Sequence, residues 1–304
     1  MRIKTRPYSD ESLDFNKLWD FIKRDYEERG DSFQWSLGRI CDWKYGLWGE
    51  SKFIPTFFMK NAQLWIGEED DLLGFIISED GDEMFSLFYK REFEFLIEEI
   101  LQWTKENWGN RNASLSIDIR ETDELMIHLL EKQGFCNNGA GAITMKYDLK
   151  TVNNDTLLEP GFQIVNMLGN QNFKAKKLLQ NNGFNNKDHV TELDERIYEY
   201  NRMSPIYNPY YDLSVVTNSG EHVSSCLAFV NADNKTAEVE KVCTHKEFRR
   251  KGLSEKLLRA CFNTLEKSGI EVAYITGFSL AAKSLYEKLG PVNQCNWLSY
   301  QWKK

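Results

Sequence analysis

Histidine and proline are scarce in this 304-residue chain, with 4 and 6 copies. Neither G-x-x-x-x-G-K-[ST] nor G-x-G-x-x-G occurs, which removes the two common glycine-rich nucleotide fingerprints. The 6 cysteines, at 41, 136, 226, 243, 261 and 295, form no C-x-x-C pair, so neither a metal site nor a disulfide framework is expected. They read as reduced thiols acting as small buried hydrophobes. No apolar run reaches the length of a membrane span, and the basic residues among positions 1–10 are followed by no apolar stretch, so no membrane partner is expected and the expected compartment is the cytoplasm. A formal net charge of −8 lacks the basic excess of a nucleic-acid binder; it suits plain solubility and a cationic substrate.

With 41% hydrophobic and 28% charged residues the composition is that of an ordinary globular protein, and the length allows two domains of about 150 residues. Residues 148–161 are polar, rich in asparagine and end in Pro160-Gly161, as an interdomain connection would. The domains expected are 1–149 and 160–304. Leu129-Leu130-Glu131-Lys132-Gln133-Gly134-Phe135 echoes Leu285-Tyr286-Glu287-Lys288-Leu289-Gly290-Pro291 at an offset of 156, which marks an internal repeat of domain size. The surrounding pattern agrees: strands at 72–78 and 84–89, a helix at 91–107, a strand at 115–119 and a helix at 122–133 match the order of the C-terminal half, with its strands at 223–230 and 237–244.

Residues 237–243 alternate as a half-buried strand, and Leu257, Leu258, Cys261, Phe262 and Leu265 fall on a helical stripe. Between them lies His245-Lys246-Glu247-Phe248-Arg249-Arg250-Lys251-Gly252-Leu253-Ser254. The unpaired amides of a helix's first turn and its macrodipole form an anion site, and a glycine there admits a phosphate closely. Gly252 supplies that access, Arg249, Arg250 and Lys251 add positive charge, and Ser254 is small enough to keep the turn open.

The run from Arg249 to Ser254 resembles the R/Q-x-x-G-x-G/A turn of the GCN5-related N-acetyltransferases (GNAT). Residues 279–290 resemble that family's second element, N-x-x-A-x-x-L-Y-x-x-x-G-F. The chain departs from the pattern at Ser254, Ser279 and Pro291, and none of these removes a catalytic group. The resemblance implies an α/β (α+β) fold of two GNAT-like domains, each a mixed, mainly antiparallel sheet flanked by helices. It further implies acetyl-CoA as cosubstrate, with its pyrophosphate on Arg249, Arg250, Lys251, Gly252, Leu253 and Ser254, its pantetheine along Val242, Cys243 and Thr244, and a backbone amide near Cys243 or Thr244 polarising the acetyl carbonyl. Glu238, fourteen residues before Gly252, is the first choice for general base, with Glu240 on the same strand face second. Tyr286 stands where the family's general acid stands. His245 is a minor candidate for phosphate binding or base.

Substrate contacts are expected from Tyr207-Asn208-Pro209-Tyr210-Tyr211-Asp212, with Asp212 facing a cationic amine, and from an aromatic wall in residues 33–48 that includes Trp35, Trp43 and Trp48. At the position of the basic turn the N-terminal copy has Phe88-Tyr89-Lys90-Arg91-Glu92-Phe93-Glu94, without glycine, and it has Leu130 in place of Tyr286. It therefore reads as a degenerate copy that helps shape the acceptor site. The activity expected is acetyl transfer to a primary amine of a small molecule or peptide; the alternative is a non-catalytic acyl-CoA-binding or scaffolding protein.

Overall fold

The computed structural model describes residues 2–30, 35–46, 50–153 and 155–304. In chain order its elements are β1 (Lys4–Pro7), α1 (Asp14–Arg29), α2 (Leu37–Tyr45), α3 (Phe57–Asn61), β2 (Ala62–Ile66), β3 (Leu72–Ile77), β4 (Ser86–Tyr89), α4 (Leu96–Asn107), β5 (Ser114–Arg120), α5 (Glu124–Lys132) and β6 (Cys136–Asp148). There follow β7 (Phe162–Asn166), α6 (Phe173–Asn185), α7 (Glu192–Arg202), β8 (Asp212–Thr217), β9 (His222–Asn231), β10 (Thr236–Thr244), α8 (Leu253–Lys267), β11 (Val272–Gly277), α9 (Leu280–Glu287) and β12 (Asn293–Lys303). No helix among the described residues is long and apolar enough to cross a membrane.

Two compact units result, and they do not follow the linear order of the chain. Residues 1–30, 49–142 and 295–304 make the first, and residues 31–48 and 143–294 the second. The boundary expected at 149–160 differs from this division because the final strand of each half completes the sheet of the other. Both strands carry ordinary alternation, and alternation does not name a partner.

In the first unit β1, β2, β3 and β4 pair in order, all antiparallel. Here β5 pairs antiparallel with β12, from Trp297↔Arg120 to Lys303↔Ser114. Ile97, Ile100 and Leu101 of α4, Leu129 and Leu130 of α5, and Tyr300 of β12 close its core around Trp65 and Ile76. The helix expected from 91 starts at Leu96, after a short 3₁₀ turn at Arg91–Phe93.

The second unit has the strand order β6-β11-β10-β9-β8-β7, in which only the β10–β11 pair is parallel. The stripe Leu257, Leu258, Cys261, Phe262 and Leu265 of α8 is buried against Val215, Ala228, Val239 and Ala273. Ile143, Met145 and Tyr147 of β6 alternate into the same core. Burying side chains of this size contributes about 1.5–3 kcal/mol each, together comparable with the ~5–15 kcal/mol by which domains are usually stable. The borrowed strand is thus a main support of the second unit. All six cysteines are free thiols; Cys41, Cys226, Cys243 and Cys261 are buried as expected, whereas Cys136 is exposed and Cys295 half-buried.

Candidate active site

Two adjacent parallel strands of the second unit separate where the sequence motifs meet. The β10–β11 ladder runs only from Thr236↔Val272 to Glu238↔Tyr274. Beyond it β11 continues beside β6 as far as Gly277↔Ile143, so among the described residues the β11-side edge of β10 has no strand partner from Glu240 to Thr244. An open strand edge offers backbone donors and acceptors to any extended ligand.

A bulge turns that edge. The β9–β10 register moves from Glu240↔Leu227 to Cys243↔Ser225, so Lys241 and Val242 together face Cys226. Lys241 takes a left-handed conformation, φ 53°, and its ammonium pairs at 3.0 Å with Asp42 of α2; both side chains are almost fully buried. His245 donates its amide to the Val223 carbonyl at 2.9 Å. Alternation then turns the Thr244 amide away from β9, toward the open edge, and the Cys243 amide toward β9. Of the two amides considered from sequence, Thr244 has the useful direction. Burial pushes the Cys243 thiol up to about 11, which makes it a poor nucleophile at neutral pH.

The turn into α8 holds two left-handed residues, Arg250 (φ 65°) and Gly252 (φ 72°). Gly252 caps α8 without a side-chain acceptor, so the first-turn amides remain available. A Cβ placed at 252 would meet no protein atom within 4 Å, so the space over the helix start is open. Leu253 is buried and anchors the helix below it. Arg249 is a brace more than an anion ligand, because it donates to the carbonyls of Thr244 (3.2 Å) and Gly183 (3.1 Å). Lys251 lies over the Phe248 ring at 4.9 Å. Ser254 does more than stay small: its hydroxyl bonds that of Thr244, which in turn lies 3.0 Å from the Ser224 hydroxyl, tying β9, β10 and α8 together.

Glu238 and Glu240 project from the same face of β10. Glu238 is buried and accepts a hydrogen bond from the Ser36 hydroxyl. Its carboxyl is raised by burial, and the Ser36 bond and the Arg39 cation oppose the rise. Glu240 is pushed up to about 8, first by burial and then by the charge of Glu238. Tyr286 of α9 is buried under Gly277, whose Cβ position lies 3.2 Å from its ring. Its hydroxyl is raised above the usual range by burial and next by Glu240, so it is protonated at neutral pH. Tyr147 of β6 donates to the Tyr286 carbonyl at 2.8 Å and so fixes the end of α9.

Other expected residues have different partners. Asp212, expected beside a cationic amine, is buried here in an ion pair with Lys176 of α6 and accepts from Tyr207 at 2.9 Å. His245 accepts the Glu247 amide at its Nδ1, 3.3 Å away, and caps the short turn before Arg249. Trp43 is fully buried and serves packing, Trp35 is half-buried with Arg39 5.7 Å from its ring, and Trp48 lies outside the described residues. Sequence reasoning passed over Ser36, Arg39 and Asp42, which bring polar groups of α2 to Glu238, Glu240 and Lys241. Their spacing of three amid aromatic residues was the signal for one polar helix face.

Comparison with known proteins accords with this geometry. Residues 209–290 match the acetyltransferase (GNAT) domain family, whose chemistry is acyl transfer. A GCN5-related N-acetyltransferase from Sphaerobacter thermophilus is 17% identical, with a TM-score of 0.67 over 99% of this chain and 95% of that one. A tandem GNAT protein from the clavulanic acid biosynthesis pathway, without AcCoA, is 10% identical, also with a TM-score of 0.67, over 99% and 98%. A GNAT-family acetyltransferase from Colwellia psychrerythraea is 12% identical, with a TM-score of 0.61 and complete coverage of both chains. These are likenesses of fold, and they extend the GNAT architecture over the whole chain as two GNAT-like domains. No curated protein matches the chain by sequence.

Proposed function

We propose that the second unit is an acetyl-CoA-dependent N-acetyltransferase that acts in the cytoplasm on a primary amine of a small molecule or peptide. The observation that carries this reading is proximity in the chain: the open edge of β10 leads, through the turn at 245–252, to the start of α8, which Gly252 fronts without a side-chain cap. Residues 242–244 would hold the pantetheine by backbone hydrogen bonds, and the amides beginning at Gly252 would hold the pyrophosphate. Bound acetyl-CoA supplies the activated acyl group. The Glu238–Glu240 pair takes the amine's proton, the amine nitrogen bonds the thioester carbonyl carbon, and the Thr244 amide stabilises the charge that develops on the carbonyl oxygen. As the carbon–sulfur bond breaks, the Tyr286 hydroxyl protonates the leaving thiolate; the carboxyl's proton returns to Tyr286 through solvent.

The first unit is the degenerate copy in this reading. Its β4–α4 turn has no glycine, and Phe95 at its helix start is right-handed, φ −61°. Lys90 in that turn is paired with Asp71 at 2.7 Å, and Leu130, at the position equivalent to Tyr286, is buried in the core.

Calorimetric titration of acetyl-CoA into the full chain tests binding, and thiol release with a panel of primary amines tests turnover. One site per chain, with turnover that Tyr286→Phe suppresses, is expected. Binding without turnover for any amine would leave an acyl-CoA-binding protein, and no binding would remove the reading altogether.

A further inference from the structure

The segment of residues 35–46 comes from the N-terminal half of the sequence, yet it belongs to the second unit, and α2 begins against Glu238. Ser36 is the N-cap of α2: its Oγ accepts the amides of Gly38 at 3.0 Å and Arg39 at 3.3 Å. A serine hydroxyl has two acceptor positions and one proton. The two amides fill the acceptor positions, so the proton is committed outward, and the atom it meets is Glu238 Oε2. The Arg39 amide also donates to Glu238. The approach is close enough to require glycine at 38, where a Cβ would stand 2.7 Å from Oε2 and 2.8 Å from Phe229 Cβ. The Glu240 carboxyl makes no hydrogen bond among the described residues, although it shares the face of Glu238.

We propose that Ser36 is a positioning residue that holds Glu238 as an ionised hydrogen-bond acceptor, so that the proton leaving the acceptor amine goes to Glu240. The inference rests on the acetyltransferase reading and divides the labour within the carboxylate pair. Donors aimed at one carboxyl favour its charged form, and a fixed negative charge beside the second favours its protonation. Arg39 and Asp42 of α2 and Lys241 of β10 also face the pair, with Tyr286 of α9 beside Glu240. Lys177 of α6 acts on Lys241, whose charge is already matched by Asp42. None of these groups donates to Glu240, so they leave the asymmetry in place.

The test is a ¹³C NMR titration of the side-chain carboxyls in the full chain labelled at glutamate Cδ, with Glu238→Gln and Glu240→Gln identifying the two signals. Expected in the wild type is a Glu240 signal that moves near pH 8, as its raised carboxyl requires, while Glu238 stays ionised there. Ser36→Ala should raise the Glu238 midpoint by about 1 in pH, and Ser36→Thr should restore it. Wild-type Glu238 taking its proton before Glu240, or a Glu238 midpoint unmoved by Ser36→Ala, would overturn the proposal; the first of these needs no variant of Ser36. Titrating acetyl-CoA into the same samples separates the two levels. Failure of the wild type to bind it would sink the acetyltransferase reading, whereas the order of protonation alone decides the role of Ser36.

Discussion

Replacing Gly252 by alanine separates the two reasons for a glycine at the start of α8. The residue is left-handed, φ 72°, and a side chain in that conformation costs about 1–2 kcal/mol. A Cβ there meets nothing within 4 Å, so no packing penalty is added. For a unit of this size the melting temperature should therefore fall by only about 2–8 °C. Binding should respond more strongly, because the methyl would occupy the space through which a phosphate oxygen reaches the first-turn amides. Charge-assisted hydrogen bonds are worth about 1.5–3 kcal/mol each, so losing one weakens acetyl-CoA binding by roughly 10- to 150-fold. Gly269→Ala is the internal control: that glycine is also left-handed, φ 85°, and also open, but it lies at the far end of the same helix. Both variants should lose similar stability, measured by calorimetric melting, and only the first should lose affinity. Equal affinities in the two alanine variants would refute the placement of the pyrophosphate.

Tyr286→Phe should leave stability within about 0.5 kcal/mol, since the hydroxyl makes no hydrogen bond among the described residues, and lower turnover about 100-fold or more by removing the acid; urea melts and thiol-release rates read the two effects. Lys176→Met leaves the buried Asp212 with tyrosine partners and no cation, which should cost about 3–5 kcal/mol in urea unfolding, and adding Asp212→Leu should recover most of it. His222 is buried, and its ring is pushed down from 6.5 to about 4 by burial and by Lys176. It stays neutral in the folded chain while the unfolded chain takes up a proton, so this contribution is complete above pH 6.5 and lost as pH falls toward about 4, by about 3 kcal/mol in all. His222→Leu should flatten that part of the pH dependence of urea stability.

What could be read from the sequence follows the range of the interactions. Strand β10, the basic turn and α8 were legible because alternation, a glycine and a helical stripe are local signals, and all three recur at the expected residues. The bulge at Lys241 was not legible, since lysine gives no hint of a left-handed backbone whose stabilising partner, Asp42, lies about two hundred residues earlier. Asp212 looked available because only tertiary packing brings Lys176 to it. Residues 33–48 advertised their aromatics, whereas the chemistry beside Glu238 comes from the serine that starts the helix. Exchange of the final strands lay beyond reach for the same reason, because two strands of similar pattern can fill either vacancy.

Synthesis runs from the N-terminus, and domains made first ordinarily fold first. Here β5 takes its antiparallel neighbour from residues 297–303, made far later, whereas residues 143–148 of β6 exist before any other strand of the second unit. The first-made core therefore waits for residues 297–303, and the second can assemble around a strand already present. A chain cut after residue 294 would keep every residue of the later unit and strip a sheet strand from the earlier one.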